Sequence, residues 1–214
     1  MQVIDLTLPF GDGKAGVTFE PSLNIAEHGF NTTTLNIYSH ALTHMDAPKH
    51  FIEGGSGIES IPLERCIGTA HVLDLTHKTP DSLMTVADLE PYADVIKAGA
   101  RVLLRTDWST HADADDYRTR FPRISPALAK WLAECGVWLL GVETPSVASL
   151  APENRAELTE VHQTLLGSDV IIVEGLRNLH LLPPQVEFTA LPLHLPGCDG
   201  SPVRAVARIP VNKG

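Results

Sequence analysis

The sequence predicts an α/β fold. Apolar runs of strand length alternate with segments of helical period through the middle of the chain, and strand-like segments dominate both ends. No repeat, low-complexity run or linker-like break in composition interrupts the 214 residues. One domain spanning residues 1–214 is therefore the economical reading.

Taken in order, Val3 to Leu8 reads as a short strand closed by Pro9, and Gly11 to Gly16 as a glycine-rich loop. Thr32 to Ser39 alternates, Leu35 and Ile37 against Thr34, Asn36 and Tyr38, and reads as a strand leading into His40. The glycines of Phe51 to Gly57 lack the Lys-Ser/Thr ending of a phosphate loop and read as a plain turn. Thr69 to Leu75 is a strand. Thr85 and Asp88 have the spacing of a capping arrangement for a short helix, with Pro91 starting a further turn. Arg101 to Thr106 is a strand. Ser125-Pro126 caps and starts a helix on which Leu128, Trp131, Leu132 and Cys135 share a face, and Gly136 ends it. Val137 to Val142 is a buried strand, Glu153 to Leu166 a helix, and Asp169 to Val173 an apolar strand. Val186 to Leu195 and Val203 to Ile209 form a closing hairpin around Pro196 to Gly200.

Composition narrows the function. Hydrophobic residues make up 43 % and charged residues 20 %, enough apolar material for a core. A net charge of −10 argues against nucleic acid or an anionic membrane as partner, since both require a basic surface. Cys66, Cys135 and Cys198 are odd in number and far apart, which fits a reducing compartment rather than a disulfide framework. No signal peptide and no run of eighteen apolar residues is present, so a cytoplasmic location and no membrane span are expected.

The chemistry concentrates between His40 and His50. His40, His44, Asp46 and His50 place three histidines and a carboxylate in eleven residues. A straight strand would hold His40 and His44 about 13 Å apart, whereas two ligands of one ion each lie near 2 Å from it. A helix would bring those two together but turn Asp46 to the far side. The chain must therefore curl, and Pro48 favours an extended or turning backbone at Ala47. Neutral imidazoles with a carboxylate suit zinc, manganese or iron. His162, on the predicted helix, and Glu174, at the end of the apolar strand, are candidate further ligands. Spacing alone leaves a surface histidine and a solvated carboxylate as alternatives. His28, His71, His77, His111, His180 and His194 lack clustered partners and read as structural. Trp108 reads as a pocket wall or as core.

These residues also carry a resemblance. His40-Ala41-Leu42-Thr43-His44-Met45-Asp46-Ala47-Pro48-Lys49-His50 is similar to the His-x-Gly-Thr-His-x-Asp-x-Pro-x-His signature of the metal-dependent cyclase or hydrolase family, which includes bacterial kynurenine formamidase and isatin hydrolase. Leu42 stands where the family has glycine. Residues 10–16 lack the proline of the Pro-Gly-Asp type segment that many bacterial kynurenine formamidases carry near the N-terminus. Leu104 to Trp108, Gly141 to Ser146, and His162 with Glu174 twelve residues on also resemble family segments. The resemblance implies a swivelling β/β/α architecture with a mixed sheet, assembled as a homo-oligomer, a dimer or tetramer. It makes His40, His44 and Asp46 ligands of one ion. Asp46 and Glu174 bridge to a second held also by His162, and His50 is the general acid/base. Zn2+, one or two per chain, is the implied cofactor, with Mn2+ the alternative.

The expected chemistry is hydrolysis of a small amide, because a metal lowers the pKa of bound water from about 15.7 to about 7 and His50 can protonate the leaving nitrogen. An arylformamide of the N-formylkynurenine type is the first substrate class and an isatin-like cyclic amide the second. No Gly-x-Ser-x-Gly elbow supports a serine nucleophile. A non-catalytic metal-binding protein is the alternative class, and such a protein would not need His50.

Overall fold

The computed structural model describes residues 1–14 and 16–210. Ala15, inside the predicted Gly11–Gly16 loop, and residues 211–214 lie outside the described residues. The strands are β1 (Gln2–Asp5), β2 (Val17–Leu23), β3 (Thr32–Ile37), β4 (His44–Asp46), β5 (Ile67–Asp74), β6 (Leu83–Met84), β7 (Arg101–Arg105), β8 (Arg123–Ile124), β9 (Leu139–Val142), β10 (Ile171–Glu174), β11 (Gln185–Pro192) and β12 (Gly200–Ile209). The α-helices are α1 (Ile25–His28), α2 (Val86–Leu89), α3 (Pro126–Glu134) and α4 (Arg155–Gly167).

One mixed eight-stranded sheet runs β1-β12-β11-β5-β7-β9-β10-β4, and β4 also pairs with β12, which closes the sheet into a barrel. The centre of the order, β5-β7-β9-β10, is parallel and the remaining pairings are antiparallel. Closure removes the sheet edge that β4 would otherwise expose.

Side-chain alternation divides the parallel strands between two cores. Leu103, Leu139, Ile171 and Val173 point into the barrel with Met45, Phe188, Ala190 and Ala205. Val102, Leu104, Leu140 and Ile172 point outward onto Leu128 and Leu132 of α3 and Val161 and Leu165 of α4. Burying each such side chain is worth about 1.5–3 kcal/mol, so two faces of these strands are covered and their sequences read as unbroken apolar runs.

The predicted helix starts and strand order in the middle of the chain hold. Ser125 caps α3 through Leu128 N, with Pro126 in the first turn. The Asp88 carboxylate accepts from Thr85 N and Oγ1 at 2.7 and 2.8 Å. Several boundaries differ by two or three residues, among them β5, which starts at Ile67, β11, which ends at Pro192, and β12, which starts at Gly200. The first strand ends at Asp5 because Thr7 leaves β12 to bridge Leu176. The helix predicted from Glu153 begins as a 3-10 turn over Pro152–Asn154, and α4 proper starts at Arg155.

The strand predicted at Thr32–Ser39 forms as β3, but its partner β2 carries no clear pattern of its own, and together they make a separate two-stranded arm. Leu35 is 57 % exposed there, so the alternation marks strand geometry and not burial. The curl expected after His40 is built from a left-handed Leu42 (φ 52°), the three residues of β4, and a 3-10 turn over Pro48–His50. Leu42 thus adopts a left-handed conformation that glycine takes without strain.

Candidate metal centre

Register brings the distant residues together. In β4, His44 pairs with Glu174 and Asp46 with Ile172 of β10. Directly opposed residues share a face. His44, Asp46 and Glu174 therefore lie on the outer face with Ile172, towards α4, while Met45 points into the barrel. His162 projects from the buried face of α4 onto the same spot.

Each ring is aimed by a second contact. His44 Nδ1 donates to Leu42 O at 2.9 Å, which turns Nε2 to Asp46 Oδ1 at 3.4 Å and Glu174 Oε2 at 3.3 Å. His162 Nδ1 donates to Leu158 O, one helical turn back, at 2.8 Å. Its Nε2 faces Glu174 Oε1 at 3.5 Å and Asp46 Oδ2 at 3.8 Å. Glu174 Oε1 also accepts from Val147 N at 2.8 Å. Thr43 Oγ1 accepts from Leu8 N at 2.7 Å and donates to Gly175 O at 2.6 Å, riveting the curl to the end of β10. A Cβ on Gly175 would collide with the Leu42 carbonyl, so β4 and β10 close up only with glycine there.

His40 places Nδ1 on Asp46 Oδ1 at 2.9 Å and stacks on His50 with ring centres 3.8 Å apart. Phe51 stacks on His162 at 4.2 Å and meets His50 edge-on at 4.5 Å. His50 is the more open of these histidines, its side chain 24 % exposed against 2 % for His162.

One carboxylate here went unread in the sequence. Asp199 Oδ2 lies 3.3 Å from His40 Nε2 and 3.8 Å from His50 Nδ1, and Oδ1 accepts from Ser39 Oγ at 3.0 Å. Asp199-Gly200 has the form of a hairpin turn, and that signal hides its position beside the histidines. Of the histidines read as structural, His77 pairs with Asp88 at 3.0 Å and His111 stacks on Trp108. Trp108 is buried with Leu8, Tyr117 and Phe121, and its Nε1 donates to Tyr117 O.

The electrostatics are those of a charge-paired cluster. Burial opposes protonation of His44, yet Asp46 and Glu174 outweigh it and push its pKa up to about 10. Burial would raise Asp46, but His40 and His44 hold it well below the usual carboxylate range. Burial and the nearby Asp46 charge raise Glu174, and His162 and His44 reverse this. His162 is likewise raised, its burial overcome by Glu174 and Asp46. For His50 burial prevails, and its pKa falls.

The donors fit a metal. Two buried side-chain atoms among the described residues lack any hydrogen-bond partner, His40 Nε2 and Asp46 Oδ2. Such orphans are rare in folded proteins unless something else satisfies them. Donor atoms of His40, Asp46 and His50 lie within 4.8 Å of one another, as do those of His44, Asp46 and Glu174, and Asp46 belongs to both groups. His44 Nε2 stands 3.4 Å from Asp46 Oδ1 and 3.3 Å from Glu174 Oε2, close to the edge of a tetrahedron with ligands about 2.0–2.1 Å from its centre, while His162 Nε2 stands 3.5 Å from Glu174 Oε1 and 3.8 Å from Asp46 Oδ2.

Fold and donor set together describe an α/β protein with a candidate metal centre. The Cyclase family model matches residues 4–149. Kynurenine formamidase of Bacillus cereus is 31 % identical over 212 residues, covering 96 % of this chain and 96 % of the relative. Kynurenine formamidase of Geobacillus thermodenitrificans is 34 % identical over 97 % of this chain and 94 % of its own. Among solved structures, isatin hydrolase A from Ralstonia solanacearum superposes with a TM-score of 0.82 at 26 % identity, covering 96 % of this chain and 91 % of that one. The chain belongs to the cyclase family of metal-dependent hydrolases.

Proposed function

We propose that the protein hydrolyses the C–N bond of a small aryl amide, of the N-formylkynurenine type, with zinc ions held by His40, His44, Asp46, His162 and Glu174. Manganese is the alternative metal. The reading takes residues 1–214 as one catalytic domain that works as a homo-oligomer in the cytoplasm. The observation that carries it is the pair of orphaned buried atoms, His40 Nε2 and Asp46 Oδ2, inside a cluster of ligand-type side chains. Full-length likeness to kynurenine formamidases supports the substrate class. Likeness to an isatin hydrolase supports a second reading, a cyclic amide opened by the same chemistry.

A bound divalent ion supplies a water that ionises near neutral pH and a Lewis acid for the carbonyl oxygen. The chain's own residues do the rest. His50 is neutral near pH 7, since burial holds its pKa below the ordinary value. It accepts the proton of the attacking water and delivers it to the amide nitrogen as the C–N bond breaks, releasing amine and carboxylic acid. Leu42 O and Leu158 O hold the Nδ1 protons of His44 and His162 and so keep both Nε2 atoms turned to the carboxylates.

The test is release of formate from N-formylkynurenine, and ring opening of isatin, by protein purified with its metal and after chelation. Chelator-sensitive turnover of either compound is expected. Full activity in metal-free protein, or no turnover of either compound by metal-replete protein, would end the proposal.

A further inference from the structure

We infer that Asp199 is a positioning residue for His50, an inference that rests on the acid/base role given to His50 above. The β11–β12 loop is fastened to the segment carrying His50 by four bonds. Ala47 N donates to Asp199 O at 2.9 Å and Ile58 N to Cys198 O at 2.9 Å. Lys49 Nζ donates to Gly197 O at 2.6 Å, and Gly197 N donates to Glu59 Oε2 at 2.9 Å. A surface turn joining two strands does not require this many ties. Their joint effect is to bring one carboxylate, itself held by Ser39 Oγ, beside the His50 ring.

Asp199 Oδ2 stands nearer His40 Nε2, at 3.3 Å, than His50 Nδ1, at 3.8 Å, yet of the two rings only His50 lacks another side chain to orient it. His40 is already aimed through Nδ1 by Asp46, and its Nε2 makes no hydrogen bond despite the 3.3 Å approach of Asp199. Among the described residues His50 has no other side-chain polar partner. Stacking on His40 and an edge contact with Phe51 fix its ring plane but leave its two flipped orientations alike. An acceptor 3.8 Å from Nδ1 breaks that tie. The spacing is long for a hydrogen bond, as such contacts often are before substrate binds. With the proton kept on Nδ1, Nε2 is the free nitrogen that accepts a proton from water.

Asp199→Asn keeps the shape and removes the charge. It is compared with wild type in zinc-loaded protein, alone and in a His50→Ala background, with N-formylkynurenine as probe. The single variant is expected to lose about 10- to 100-fold in kcat, with KM and zinc content within about twofold. In the His50→Ala background the same substitution is expected to cost less than about twofold, because effects routed through one residue do not add. Equal losses in both backgrounds, or loss of zinc in the single variant, would overturn the inference. Nitrogen-15 NMR of His50 in the zinc-loaded protein gives a readout free of turnover. Wild type is expected to show the Nδ1–H tautomer and Asp199→Asn a mixed or reversed one, and an unchanged spectrum overturns the inference. If wild type turns over no probe, the amide-hydrolase reading fails, while the NMR comparison still decides the role of Asp199.

Discussion

A single methyl group at Gly200 is expected to dislodge His40. The Cβ of Gly200→Ala would stand 2.6 Å from His40 Cε1 and 3.0 Å from both His40 Nε2 and Met45 O. Carbon atoms in ordinary contact lie about 3.5–4.0 Å apart, so the ring must retreat by about 1 Å. It has little room, since it stacks on His50 at 3.8 Å and is bonded to Asp46 at 2.9 Å. Overpacking of this kind costs about 1–3 kcal/mol. A metal ligand tolerates displacement of only about 0.2 Å, and mis-set ligands cost about 10- to 100-fold in affinity. Thermal unfolding of the metal-free variant reads the first effect, and zinc titration against a competing chelator reads the second. Wild-type zinc affinity in folded Gly200→Ala protein would remove His40 from the ligand set.

Three further outcomes are expected. His50→Ala should retain its metal and lose about 10²- to 10⁴-fold in kcat; unchanged kcat at normal metal content would take His50 out of the mechanism. Leu42→Gly should relieve about 1 kcal/mol of left-handed strain, offset by lost packing against the Trp108 cluster, so stability moves by less than about 1 kcal/mol. If Leu42 narrows the substrate pocket, its removal should favour bulkier aryl amides, and an identical ranking of substrates in both proteins would show the side chain to be neutral. Burial would raise the Asp88 pKa, but hydrogen bonds from Lys78, His77 and Thr85 hold its carboxyl well below the usual range. A depressed carboxyl stabilises above its unfolded pKa of about 3.9 and loses that contribution as pH falls through the folded value. Chemical denaturation of Asp88→Asn should therefore show a deficit at pH 7 that closes below about pH 4, and a deficit independent of pH would contradict this.

The sequence revealed the centre more readily than its surroundings. Three histidines and an aspartate within eleven residues force a curl, and the curl is present, with Leu42 taking the positive φ that spacing could not disclose. Glu174 was legible because a carboxylate ending the apolar run Val170–Val173 is costly unless something receives it. The convergence of His162 with Asp46, by contrast, depends on the β4–β10 register and the seating of α4, neither of which periodicity encodes. Alternation in β3 identified a strand but not its exposure, because the same pattern serves a half-buried strand and a free arm. Asp199 was invisible for a similar reason, since Asp-Gly in a hairpin reads as turn chemistry whatever the carboxylate faces.

Metal stoichiometry tests most directly the proposal that Asp46 would be shared by two ions. Two adjacent dications would repel strongly, and Asp46 and Glu174 would supply the negative charge that offsets this. Elemental analysis of dialysed protein should give two ions per chain in wild type and a value moving towards one in His162→Ala, with Glu174→Gln weakening both. A wild-type value of one that His162→Ala leaves unaltered would contradict the account and leave a single ion on His40, His44 and Asp46.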